Sequence, residues 1–110
     1  MPLPAYAVAH LREIDFNAEI VDYLKRIDAT LAPFGGRYIV HGVRATVLEG
    51  AWPGDLVVIA FPDRARAEAW YRSEAYQAIV GLRTGNSVAD VILVDGVTED
   101  HKATDILPGA

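Results

Sequence analysis

A chain of 110 residues fits one domain. Its 10 basic and 15 acidic side chains leave a net charge of −5, and phosphate contacts need a basic face, so nucleic-acid binding is disfavoured. With no cysteine, disulfides and thiolate metal sites are excluded, which suits a reducing cytoplasm.

Hydrophobic residues make up 52%. A domain this small keeps much surface relative to its core, so that apolar excess predicts burial against a second copy. No basic segment followed by a long apolar run opens the sequence, and no apolar run reaches membrane-spanning length. The expectation is a cytoplasmic homodimer that engages neither membrane nor nucleic acid.

Ala5 to Leu11 reads as a strand, with Tyr6, Val8 and His10 on one face and Ala5, Ala7, Ala9 and Leu11 on the other. Neither face is plainly polar, so both are expected to be covered. Asp15 and Asn17 offer two caps for a helix. Ile20, Leu24, Ile27 and Leu31 then follow i, i+4, i+7 and i+11, the clearest amphipathic pattern in the chain. Asp22 precedes Lys25 and Arg26 at favourable spacing on its outer face, and Pro33 and Gly35-Gly36 stop it. Acids at Glu13, Asp15 and Glu19 suit the helix dipole better than a carboxylate dyad.

Arg37 to Glu49 reads as one long strand with a bulge at Gly42, or as two short strands. Gly50 to Asp55 is a turn. Leu56 to Phe61 is a continuous apolar strand. Asp63 can cap a helix through Ala65, Ala67 and Ala69, and Ser73 is a second cap or a kink. Beyond it, Ala75, Ile79 and Leu82 share one helical face, with Tyr76, Val80 and Arg83 beside it. Ser87 to Val94 is the last strand, and Thr98 to Ala110 a polar tail, either loose or docked on a partner. The order is β-α-β-β-α-β: a single ferredoxin-like α+β domain over 1–97, with one antiparallel sheet, both helices on one face, and a tail over 98–110. Only a second subunit is left to cover the other face, which makes a dimeric α+β barrel.

The segments FGGRYIVHG at 34–42, LEGAW at 48–52 and VVIAFPDRARAEAWYRSEAYQAIVGLR at 57–83 resemble the family known as domain of unknown function 1330. The resemblance runs from about Tyr6 to Gly96. It implies the dimeric α+β barrel superfamily, whose members include cofactor-free monooxygenases, isomerases, dehalogenase-like enzymes and haem-handling proteins, but it implies no single reaction. Where that family usually has Arg-Gly-Gly, this sequence has His41-Gly42-Val43; where it often has Glu before Phe-Pro, it has Ala60. If those positions line a pocket, the ligand differs with them or is lost altogether.

Five side chains are candidates for a ligand site: His41, Tyr71, Ser73, Tyr76 and Arg83. An unperturbed imidazole has its pKa near neutrality, which makes His41 the candidate base. A guanidinium beside an apolar stripe must find a carboxylate, a carbonyl or an anionic ligand, and Glu49 and Glu74 are the internal carboxylates on offer to Arg83. Tyr71, Ser73 and Tyr76 can edge a cavity mouth, although the plainer reading makes Ser73 a cap and the tyrosines core. His10, His41 and His101 share no metal-ligand spacing, so no metal and no cofactor are expected. The function read here is a small anionic or aromatic molecule held between helices and sheet. The alternative is a cofactor-independent monooxygenase or isomerase of a small aromatic or keto substrate; a haem role through His10 or His41 is a weaker third.

Overall fold

The structure, a computed structural model, describes residues 3–42 and 44–109. Val43, counted above in the second strand and in the family motif, lies outside the described residues, as do Met1, Pro2 and Ala110 at the ends of the domain and tail. Strand β1 is Ala5–Ile14, helix α1 Ala18–Leu31, β2 Arg37–His41 and β3 Asp55–Phe61. Three short helices follow, α2 Arg64–Arg72, α3 Glu74–Gln77 and α4 Val80–Thr84, and then β4 Ser87–Asp95. The four strands form one antiparallel sheet in the order β2-β3-β1-β4. That is the ferredoxin-like arrangement, with its second helical layer broken into three.

Pleating decides what faces the helices. Ala5, Ala7, Val57, Ile59 and Phe61 point into one core with Ile27 and Leu31 of α1, and with Ala67, Trp70, Tyr76 and Ile79 of the second layer. The small Ala5 and Ala7 let both helical layers approach the sheet closely. Asn17, rather than Asp15, caps α1: its Oδ1 accepts from the amides of Glu19 at 3.0 Å and Ile20 at 3.1 Å. The stripe inferred for this helix needs correcting. Leu24 is 36% exposed, and Tyr23 and Thr30 take inner positions instead. A hydroxyl can be buried at 30 because Thr30 Oγ1 donates to the Ile27 carbonyl at 2.7 Å and accepts from Trp70 Nε1 at 3.0 Å.

The second strand differs from both readings of 37–49. It stops at His41, and residues 44–54 form no strand. Gly42 does not bulge the ladder; it ends it, with φ +66 turning the chain away after its amide bonds the Leu56 carbonyl. The irregularity in the ladder lies instead between Tyr38 and Val40. The loop then returns across the end of β1. At Gly54, φ is +79 and an added Cβ would strike the Leu11 carbonyl oxygen, so only glycine fits there.

In the second layer Asp63 caps α2 by accepting from Arg66 N at 2.8 Å. Ser73 is extended, ends α2 and caps α3: its hydroxyl accepts from Tyr76 N at 3.2 Å and donates to the Trp70 carbonyl at 2.7 Å. A second break falls at Ile79, φ −114. The stripe through Ala75, Ile79 and Leu82 is therefore interrupted; Ala75 is exposed while Tyr76 and Ile79 are buried.

The other sheet face carries Tyr6, Val8, Val40, Leu56, Val58, Ile92 and Val94, and no helix packs on it among the described residues. His10 lies on the same face, stacked on Trp52 at 4.0 Å with Nε2 2.6 Å from the Pro53 carbonyl. The tail adds one exposed 3-10 turn, Ala103–Ile106. Among the described residues, no helix is long and apolar enough to cross a membrane.

Candidate functional site

Between α1, the second helical layer and the sheet is a cavity of about 200 Å³. Its sheet wall is apolar, built from Ala7, Ala9, Val57, Ile59 and Val91. Ile20 and Leu24 of α1 close one side, and Trp70 closes another. Three of the five sequence candidates, His41, Tyr76 and Arg83, line it. Tyr71 and Ser73 do not. Tyr71 is 37% exposed, packs edge-on against Trp70, and offers its carbonyl to Gln77 Nε2 at 2.6 Å. Ser73 is committed to the helix junction described above.

His41 reaches the cavity because of the irregularity in β2. In a regular strand, Tyr38 and His41 would point to opposite faces. The extra residue at Ile39 restores phase, so Tyr38 pairs with Ile59 and His41 with Val57, both on the helix side. The two rings stack at 4.2 Å and 20°. Aspartate 55 also stands in the cavity wall, next to Gly42.

Sequence reasoning missed Tyr23, Tyr38 and Asp55. Tyr23 sits between Ile20 and Ile27 at i+3 and i−4, an inner-face spacing that does signal burial. Its hydroxyl lies 2.8 Å from that of Tyr76, and both residues are buried. Arg83, half-buried in α4, lines the same cavity as these two hydroxyls. Among the described residues no ion pair joins Arg83 to a carboxylate; the pairs found belong to other cations, so Glu49 and Glu74 do not neutralise it.

Burial pushes the Tyr23 hydroxyl well above the usual phenol range, and Tyr76 pushes it further. Burial does the same at Tyr38, with Asp28 adding to it. Neither is a base at neutral pH; both are proton-bearing donors. Burial works against the charge on Arg83, but Tyr76 and Tyr23 outweigh it and hold the guanidinium above its ordinary value. The site is thus an apolar slot with one fixed cation and phenol hydroxyls beside it, and with His41 and Asp55 as its other titratable groups. No group of three or more His, Cys, Asp or Glu that could hold a metal occurs among the described residues. His10 lies outside the cavity.

The fold defines a class before any sequence match does. A dimeric ferredoxin-like protein of unknown function from Jannaschia sp. CCS1 superposes with TM-score 0.65 at 13% identity, over 84% of this chain and 99% of that one. A protein of unknown function from Rhodopseudomonas palustris gives TM-score 0.67 at 14% identity, over 89% and 85%. A mutant of SnoaB, a cofactor-independent oxygenase from Streptomyces nogalater, gives 0.62 at 11% identity, over 92% and 100%. At such identities the likeness is one of fold. The sequence itself matches the family Domain of unknown function (DUF1330) over residues 4–97, and the chain belongs to that family. No functionally curated protein matches it.

Proposed function

We propose that this protein is a homodimer whose subunits each bind a small aromatic or keto acid in the cavity between helices and sheet, with the acidic oxygen at Arg83. The observation that carries this is that Arg83, half-buried and without a carboxylate partner among the described residues, lines a cavity whose wall is mostly apolar. Ring-sized apolar space with a few convergent polar groups is what ligand sites offer. Volume sets the ligand class. A dry cavity of ~150 Å³ holds benzene, so about 200 Å³ suits one substituted ring. A haem macrocycle is far larger, and His10 faces away, so the haem reading is set aside.

The dimer is supported by the uncovered apolar sheet face and by relatives described as dimeric. A cytoplasmic setting is supported by the absence of cysteine. A second reading, a cofactor-independent oxygenase or isomerase, draws on the shared fold with SnoaB and on the placement of His41 in the cavity wall as candidate base. Oxygen uptake or isomerisation by wild type that His41→Ala abolishes, with binding retained, would establish it.

The binding test is a thermal-shift screen of small aromatic and keto acids. A charge-assisted hydrogen bond contributes about 1.5–3 kcal/mol, so Arg83→Ala is expected to bind a hit roughly 10- to 150-fold more weakly while keeping its fold. Equal binding by Arg83→Ala, or no binding by wild type, would defeat the proposal.

A further inference from the structure

Among the described residues, Asp55 is the one carboxylate in the cavity wall, and Arg83 the one permanent cation. Alternation along β3 puts the carboxylate there. Asp55, Val57 and Ile59 share a face of the strand, and all three line the cavity. The two charges therefore stand on different walls, Asp55 on the sheet and Arg83 on α4. No ion pair joins them among the described residues. The Asp55 carboxylate accepts no hydrogen bond from those residues either. The residue is half-buried, yet no side-chain oxygen among the described residues is both fully buried and unpartnered, so its oxygens remain accessible. Its Oδ2 lies 4.0 Å from the point that a Cβ on Gly42 would occupy, so the neighbouring chain leaves that flank uncrowded. His41, which pairs with Val57, is a diagonal neighbour on the same face, but its ring stacks on Tyr38 and forms no ion pair with Asp55.

We propose that Asp55 sets the specificity of the cavity: it accepts from a hydroxyl or amino group on the ring of an aromatic acid whose acid group lies at Arg83. This rests on the cavity reading above and narrows its ligand to a ring with an acid at one position and a proton donor at another. An ionised carboxylate only accepts, and a guanidinium only donates. A ligand that meets both carries an acidic oxygen for one and an O–H or N–H for the other. The wall around them is mostly apolar, so water screens little and an unmatched charge is costly. Plain benzoate answers Arg83 and leaves Asp55 unmatched. Like charges repel, so the acid of the ligand lies away from Asp55 and the substituent toward it.

The probes are benzoate, 3- and 4-hydroxybenzoate, and 3- and 4-fluorobenzoate. Fluorine is close to a hydroxyl in size and has no proton to donate. Calorimetry at neutral pH gives the affinity of each. Wild type is expected to bind the better hydroxybenzoate at least about tenfold more tightly than the fluorobenzoate of the same pattern, the worth of a hydrogen bond to a charged group. Asp55→Leu should remove that preference and leave benzoate bound as tightly as before or more so. Asp55→Asn keeps a neutral acceptor and should shrink the preference, which decides the matter if the leucine variant does not fold. A smaller ratio in wild type overturns the role of Asp55 and, where benzoate still binds, leaves the cavity reading standing. So does a preference that survives unchanged in either variant, which would give the donor to another group such as His41. If none of the five acids binds wild type, the role of Asp55 and the cavity reading fall together.

Discussion

Trp70→Ala is expected to cost about 3–5 kcal/mol of folding stability, the range for deleting a large aromatic from a packed core. Trp70 is 3% exposed. Its ring lies 5.4 Å from Phe61 and 4.1 Å from Tyr76, so one side chain joins β3, α2 and α3. It also ties α2 to α1 through Nε1 and Thr30. Truncation leaves a void where three elements meet, and the backbone breaks at Ser73 and Ile79 give α3 no long helix to lean on. Trp70→Phe keeps most of the ring and removes the indole N–H, so its loss should be nearer 1–2 kcal/mol. Urea unfolding followed by circular dichroism separates the two. A loss below about 1 kcal/mol for the alanine variant would mean that this junction is not the centre of the core.

Val58→Asp is expected to split the proposed dimer. Val58 lies mid-strand on the uncovered face, opposite Val8 on one side and Val40 on the other. In a sheet-to-sheet dimer a carboxylate there meets apolar groups only, and an unpaired buried charge costs several kcal/mol. A penalty of about 4 kcal/mol raises Kd roughly a thousandfold. Light scattering should give twice 12.0 kDa for wild type and 12.0 kDa, or unfolded material, for the variant. Wild type at 12.0 kDa at micromolar concentration would contradict the dimer outright.

These effects trace back unevenly to the sequence. Elements fixed by local chemistry were legible: caps at Asn17, Asp63 and Ser73, and apolar alternation in β1 and β3. Their pattern defined the fold, because βαββαβ with two helical layers leaves few topologies. The second strand was not legible. Tyr38 and His41 share a face only because the ladder slips at Ile39, and no composition signal marks a slip without a glycine. Gly42 did stand out, but a positive φ can end a strand as readily as bulge it. The cavity was half legible. Arg83 was visible as a cation beside an apolar stripe. Hydropathy ranks Leu24 above Tyr23 for the inner face, whereas the hydroxyl bond of Tyr23 to Tyr76 is a long-range fact. Tyr71, adjacent to Trp70 in sequence, points elsewhere because a helix turns neighbours apart.

The location of the ligand is the claim on which the rest depends, and methyl chemical-shift mapping during a titration with an aromatic acid such as benzoate tests it most directly. Strand pleating supplies an internal control, since Val57, Ile59 and Val91 face the cavity side while Val58, Ile92 and Val94 face away. Saturable shifts at Ile20, Leu24, Val57, Ile59 and Val91, with Val58, Ile92 and Val94 unmoved, are the predicted result. Shifts confined to Val58, Ile92 and Val94, or no saturable shift with any acid in the screen, would contradict it.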